Sequence, residues 1–154
     1  MEKEQRFIEE VGLFFEVRGV PRMTGRMLGW LLICDPPYQS ADEIAEALMA
    51  SKGSISTTTR LLMRLGMIEK ISLPGQRRDY FVISPKCWDA IIQEAKNKIS
   101  EFRALAERGL DVVKDKEPHI RERLETMQSV YSFFEREFES IAERWQQEKQ
   151  SIQK

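Results

Sequence analysis

The side chains best equipped for chemistry lie between residues 51 and 85. There Lys52, Arg60, Arg64, Lys70, Arg77 and Arg78 stand against only two acids, Glu69 and Asp79, a local balance of +4 in a chain of net charge −1. Residues 1–50 hold 5 basic and 9 acidic side chains, and residues 86–154 hold 13 and 14. Clustered positive charge suits phosphate contact, and guanidinium forks can also read the edge of guanine. A near-neutral protein can bind a polyanion through one such patch, with an affinity that falls as salt rises. His119 is the sole histidine, which leaves no His-based triad or metal set. The sequence has no nucleophile–base pattern, phosphate-binding glycine loop or paired-carboxylate site, so neither an enzyme nor a cofactor is expected. Cys34 and Cys87 make no disulfide framework and no metal-ligand spacing, and they read as reduced, partly buried thiols. Redox sensing by Cys87, which has Lys86 beside it, would require exposure and a lowered pKa.

The elements that position the basic cluster start at Ser40. Ser40-Ala41-Asp42-Glu43 has the form of a capping box, and the short helix it opens buries Ile44, Ala45 and Leu48. After a break at Met49 and Ala50, Ser51 or Ser54 caps a second helix. Its buried side carries Ile55, Thr59 and Leu62, flanked by Leu61 and Leu65. The opposite side carries Lys52, Ser56, Thr57, Arg60 and Arg64, with Ser54 near the start. Small hydroxyl residues and spaced arginines let a helix approach base edges closely and still hydrogen-bond to them. Gly66 closes this helix. Strands over Ile68–Leu73 and Tyr80–Ser84 follow, turned by Pro74-Gly75 and tipped by Arg77, Arg78 and Asp79. The two arginines would reach a minor groove or flanking phosphates, while Asp79 would steady one guanidinium by a bidentate pair. Two short helices followed by such a hairpin make a winged helix-turn-helix, whose usual partner is duplex DNA.

The flanks are helical. Residues 3–18 place Phe7, Ile8, Val11, Phe14 and Phe15 on one stripe, and a second, mostly apolar helix spans residues 22–33. Gly25 and Gly29, four apart within it, point to a close helix–helix approach. Arg22 and Arg26 suit either a DNA phosphate or a salt bridge to the acidic N-terminal half. After Pro85, Trp88, Ile92, Ala95, Ile99, Phe102 and Ala106 repeat at helical spacing. A longer run then sets Ile120, Leu124, Met127, Tyr131, Phe134, Phe138, Ile141 and Trp145 on a heptad seam. A helix of about 30 residues spans roughly 45 Å, more than a small domain can cover, so these eight residues are expected to meet a second subunit.

The expected fold class is therefore mainly α. A winged helix-turn-helix domain with an N-terminal helix and a small β-hairpin wing occupies residues 1–85, and long C-terminal dimerisation helices occupy residues 86–154. The aromatics Phe14, Phe15, Trp30, Trp88, Phe102, Tyr131, Phe134 and Trp145 could line an effector pocket, or could be plain core and dimer interface. No apolar run approaches the roughly 20 residues of a membrane span, and no signal-peptide core follows the N-terminus. A cytoplasmic protein without a membrane partner is expected.

Three segments carry a family resemblance: Gly19-Val20-Pro21-Arg22 through Gly25-Arg26 to Gly29, Ser40–Leu48 running into Ser51-Lys52-Gly53-Ser54-Ile55-Ser56, and Gly75-Gln76-Arg77-Arg78-Asp79-Tyr80. The chain resembles a winged-helix transcription regulator of the MarR superfamily, most closely its GbsR-like branch. The similarity covers roughly residues 5–85 well, and beyond them only the general arrangement of long helices. It implies a homodimer with paired recognition helices in successive major grooves and wings at minor grooves. Such a protein is a sequence-specific regulator, most often a repressor, and a small-molecule effector that changes the spacing of the two helices is a further expected partner. The alternative is a winged-helix protein-interaction module that uses the C-terminal heptad helix.

Overall fold

A helix over Glu2–Glu16 (α1) and one over Arg22–Ile33 (α2) cross so closely that a Cβ on Gly25 would stand 2.4 Å from the Val11 carbonyl oxygen. A Cβ on Gly29 would meet the Val11 side chain at 3.2 Å. The two glycines thus open the approach their spacing predicts. The computed structural model, which describes residues 2–152, separates into one unit up to Ala90 and a second from Ile91 onward.

In the first unit, a short strand over Gln39–Ser40 (β1) leads into a helix over Ala41–Ala47 (α3). The capping box is complete. Ser40 Oγ accepts from the Glu43 N–H at 3.3 Å, and Glu43 Oε2 accepts from the Ser40 N–H at 2.7 Å. These hydrogen bonds from Ser40 hold the Glu43 carboxyl below its ordinary pKa. The next helix, α4 over Lys52–Arg64, is capped by Ser51 Oγ, which accepts from the Ser54 N–H at 3.2 Å. Leu65 is its C-cap, and Gly66 follows at φ 70, where an L side chain is disfavoured. Ile8, Met27, Leu31, Ile44, Leu48, Ile55, Leu62, Ile68 and Phe81 pack into one core behind α3 and α4. Burial of this set is what fixes the two helices against each other.

Strands Ile68–Ser72 (β2) and Asp79–Ile83 (β3) form the hairpin in antiparallel register, Ile71 opposite Tyr80 and Ser72 opposite Asp79. At its turn the Gln76 N–H donates to the Leu73 carbonyl at 3.1 Å, with Gly75 at φ 76 in the third position. That is the turn Pro-Gly favours. Beyond the sequence expectation, β1 adds to the free edge of β3, pairing Gln39 with Phe81 and Ser40 with Tyr80 in the order β1-β3-β2. Backbone pairing through β1 therefore joins the root of α3 to the base of the wing.

The expected α1 stripe is only partly inward. Ile8 and Gly12 are buried and Val11 and Phe15 half-buried, whereas Phe7 and Phe14 lie exposed. Gly12 takes the inward place because α2 passes there. A Cβ on it would meet the Arg26 side chain at 2.7 Å.

The second unit consists of most of α5 (Cys87–Val112) and of α6 (Pro118–Ile152), folded as an antiparallel hairpin. Its rungs run from Lys96–Glu139 through Ser100–Glu135 to Gly109, which lies against Leu124. The heptad seam divides. Leu124 packs on Gly109 and the Tyr131 ring stacks on Phe102 at 4.9 Å, both within the same chain. Ile120, Met127, Phe138 and Trp145 are half-buried as well. Phe134 and Ile141 stay exposed, together with Val130, Phe133 and Leu105. A two-helix hairpin covers one side of a 3.5-residue repeat and leaves its flank open, so the chain itself meets part of the seam assigned to a second subunit.

Candidate nucleic-acid interface

Helix α4 sorts its side chains cleanly. Ile55, Thr58, Thr59 and Leu62 are buried, and Thr59 Oγ1 donates back to the Ile55 carbonyl at 2.6 Å. Lys52, Ser56, Thr57, Arg60 and Arg64 are exposed, and Ser54 is half-buried. At about 100° per residue these exposed positions occupy an arc of roughly 140°. Leu65, placed beside the buried side by its spacing, is exposed instead because the helix ends there. Of the threonines at 57, 58 and 59 only Thr57 reaches solvent.

The six basic groups fall into two classes. Both lysines are engaged. Lys52 Nζ lies 2.7 Å from Asp42 Oδ1 on α3, and Lys70 Nζ lies 3.1 Å from Asp79 Oδ2 across the β2–β3 ladder. The partner of Asp79 is therefore an ammonium in the middle of β2, where the sequence suggested a wing guanidinium. The register pairs Asp79 with Ser72 and Lys70 with Phe81, so Lys70 reaches Asp79 diagonally along one face, and the arginines lie beyond it in the turn. Arg60, Arg64, Arg77 and Arg78 have no carboxylate partner among the described residues, although Arg60 Nε donates to the Ser56 carbonyl at 3.3 Å. The Lys52 hydrogen bond and charge hold the Asp42 carboxyl below its ordinary pKa, and the Arg78 charge adds to this. The wing tip thus acts electrostatically on the first turn of α3.

Arg22 and Arg26 are structural. Arg22 Nη2 meets Glu9 Oε2 at 2.6 Å, and Arg26 Nε lies 2.7 Å from Glu9 Oε1. Arg26 Nη2 also donates to the Leu48 carbonyl at 3.0 Å, so one guanidinium ties α1 to the end of α3. Burial pushes the Glu9 carboxyl up, but the Arg22 hydrogen bond and the Arg26 and Arg22 charges outweigh it, leaving its pKa below the ordinary value. Cys34 and Cys87 are buried free thiols, and burial raises the pKa of both. That is the opposite of what a thiolate sensor needs.

The aromatic set divides as well. Phe14, Phe15 and Trp30 belong to the first unit, where the Arg18 guanidinium sits 3.4 Å over the Phe14 ring. Phe102, Tyr131 and Phe134 cluster in the second. They line an apolar groove of about 480 Å³ with Ile99, Phe138 and Ile141, and Lys98 and Glu137 are its charged lining residues. No cluster of three metal-ligating side chains occurs among the described residues, and no described helix is long and apolar enough to cross a membrane.

Comparison with known proteins bears on this geometry. Residues 86–148 match the family model described as an MmpR5-like MarR family transcriptional regulator. The HTH-type transcriptional regulator MmpR5 of Mycobacterium tuberculosis is 41% identical over 129 residues, spanning 84% of this chain and 78% of that protein. The HTH-type transcriptional repressor GbsR of Bacillus subtilis is 25% identical over 151 residues, covering 87% and 83%. A crystal structure described as a transcriptional regulator superposes with a TM-score of 0.78 at 38% identity, covering 94% of this chain and 99% of the other. The likeness to GbsR, the branch suggested by the sequence, is thus the weaker one. The family model falls on the long helices, where the motif reading found only a general arrangement.

Proposed function

The chain belongs to the MarR family of winged-helix transcriptional regulators, in its MmpR5-like group, and from that premise we propose that it represses transcription by occluding a two-fold operator in duplex DNA. Regulators of this family bind DNA as dimers. In this reading α4 lies in the major groove, with Ser54, Ser56, Thr57 and Arg60 toward base edges and Arg64 toward phosphate. Arg77 and Arg78 of the wing reach the adjoining minor groove or its phosphates, with Asp79 and Lys70 bracing the wing. The single observation that carries the reading is the set of four arginines without carboxylate partners, exposed on α4 and the wing tip of one rigid unit. Lys52 contributes less than its charge suggests, because Asp42 already occupies it. The exposed apolar flank of α5 and α6 is where a second copy covers Phe134, Ile141 and Phe133. An effector that seats in the groove beside Phe102 and Tyr131 would alter that packing and with it the spacing of the two recognition helices.

The test is a duplex titration across a range of salt with the wild type, Arg60→Ala and Arg77→Ala/Arg78→Ala. Removing two phosphate contacts per protomer should flatten the log–log salt slope by roughly 3.6. Unchanged affinity and slope in both variants would remove these faces from the interface. A stable monomer at low micromolar concentration would remove the second copy.

A further inference from the structure

Met49 is the one non-glycine residue with positive φ among the described residues, at φ 49. It occupies the turn between α3 and α4, two residues before the α4 cap Ser51. Left-handed backbone is disfavoured for any side chain, and glycine would hold it without strain. The turn is nevertheless rigid. The Met49 N–H donates to Glu46 at 3.1 Å, the Ala50 N–H donates to Ala45 at 2.9 Å, and Arg26 grips the Leu48 carbonyl. Leu48 before it is buried and Ala50 after it packs on the core, whereas the Met49 side chain is 80% exposed. The Met49 and Ala50 N–H bonds and the left-handed φ are those of the cap that closes α3 just after Leu48, a position glycine ordinarily fills. The backbone of Met49 thus serves the fold, while its side chain strains that position and stands in water. Such an outlier is a pointer to use outside the fold.

We propose that Met49 is a specificity-determining residue of the DNA interface, packing on the C5-methyl of a thymine ahead of the first turn of α4. The inference rests on the duplex-binding reading above. In that reading Ser54, Ser56 and Thr57 at the start of α4 face the duplex, which makes DNA the neighbour of this turn, and an apolar side chain placed there needs apolar atoms on that DNA. Thymine methyls are the apolar groups of the major groove. A flexible, polarizable thioether can follow a methyl group through small changes of docking geometry.

The experiment uses duplexes that the full-length wild type selects from a random-sequence pool, with each half-site thymine then replaced in turn by deoxyuridine. Met49→Gly should raise Tm by roughly 2–4 °C, since it relieves the strained position. The same variant should bind the selected duplex roughly tenfold more weakly, a loss in the range for burying a methionine side chain. One thymine-to-deoxyuridine change should cost the wild type roughly fourfold and the variant almost nothing, the signature of a shared contact. Met49→Ala, which keeps the strain and removes the thioether, should lose affinity without gaining stability. Wild-type affinity in Met49→Gly and Met49→Ala overturns the proposal, and so does weakened binding that couples to no thymine. Arg60→Ala keeps the two levels apart. If it and Arg77→Ala/Arg78→Ala both bind as the wild type does, the interface reading itself has failed, whereas weakening in either with no effect at Met49 sinks only this proposal.

Discussion

Replacing Asp42 by Asn should strengthen DNA binding. Asp42 lies 2.7 Å from Lys52 and within the field of Arg78, so it competes with phosphate for the two cations nearest the first turn of α3. The pair is exposed on both sides, which makes it a weak contributor to stability. In binding, however, exchange of Asp42 for a phosphate returns little, because one anionic contact on Lys52 is traded for another. Asn frees Lys52 for a full phosphate contact in each protomer. Two added contacts per dimer should steepen the salt dependence by roughly 1.8 on a log–log plot. Because so exposed a pair is cheap to break, affinity should rise only several-fold at about 0.1 M salt, and the gain should vanish near 1 M. The assay is fluorescence anisotropy of a labelled duplex over a salt series, with Lys52→Ala in both backgrounds. Lys52→Ala should flatten the slope more in the Asn background than in the wild type. Loss of an acidic residue from the first turn of α3 should lower Tm slightly, so stability and affinity move in opposite directions. An Asn variant with unchanged slope, or with weaker binding, would refute the argument that Lys52 is withheld by its partner.

Three further outcomes follow from the same geometry. Gly25→Ala should destabilise the first unit by about 1–3 kcal/mol or more, seen as a lower denaturant midpoint, because its Cβ would stand 2.4 Å from a backbone oxygen that cannot swing away. Glu9 has a depressed folded pKa, so its stabilisation is complete above the unfolded value of 4.5 and is lost as pH falls through the lower folded value. The Tm gap between the wild type and Glu9→Gln should therefore be full at neutral pH and close in acid, and a gap that widened in acid would contradict the pairing with Arg22 and Arg26. Cys34 and Cys87 should react with a thiol-specific reagent only at the rate of unfolding, since burial both shields them and raises their pKa; rapid labelling of the native protein at neutral pH would show that reading to be mistaken.

Local chemistry was the legible part of this chain. The Ser40–Glu43 box, the Ser51 cap, the Pro74-Gly75 turn and the bounds of α2 each follow from rules that act over a few residues, and each stands where the sequence puts it. The exposed face of α4 was legible for the same reason, because 3.6-residue periodicity separates Ile55 and Leu62 from Ser56 and Arg60. What escaped depends on residues far apart in the chain. Strand β1 is two residues long and exists only because β3, some 40 residues later, offers an edge to Gln39 and Ser40. The Lys52–Asp42 and Lys70–Asp79 pairs are set by how α3 meets α4 and by strand register, which composition cannot reveal. Phe7 and Phe14 look like core on a helical wheel. The close passage of α2 at Gly12, Gly25 and Gly29 rotates α1 so that Ile8 and Val11 face inward instead.

The two engaged lysines also change what the basic island means. Counted by sequence it carries +4, yet aspartates hold both ammonium groups, and the charges left for a ligand are all guanidiniums. Ammonium groups supply diffuse phosphate attraction, whereas guanidiniums offer fixed forks that match guanine edges and phosphates. If this face meets DNA as proposed, withholding the lysines would lower affinity for any DNA while sparing the groups that can discriminate. On the proposal above, with Arg60 turned to base edges, one chain brings about three phosphate contacts, fewer than the roughly 6–10 of a strongly salt-dependent complex. Two chains would bring about six. The exposed flank at Phe134, Ile141 and Phe133 is the surface proposed for that second copy. A second copy seated on it would double the phosphate contacts that α4 and the wing offer an operator, which is why loss of the dimer should weaken DNA binding at ordinary salt.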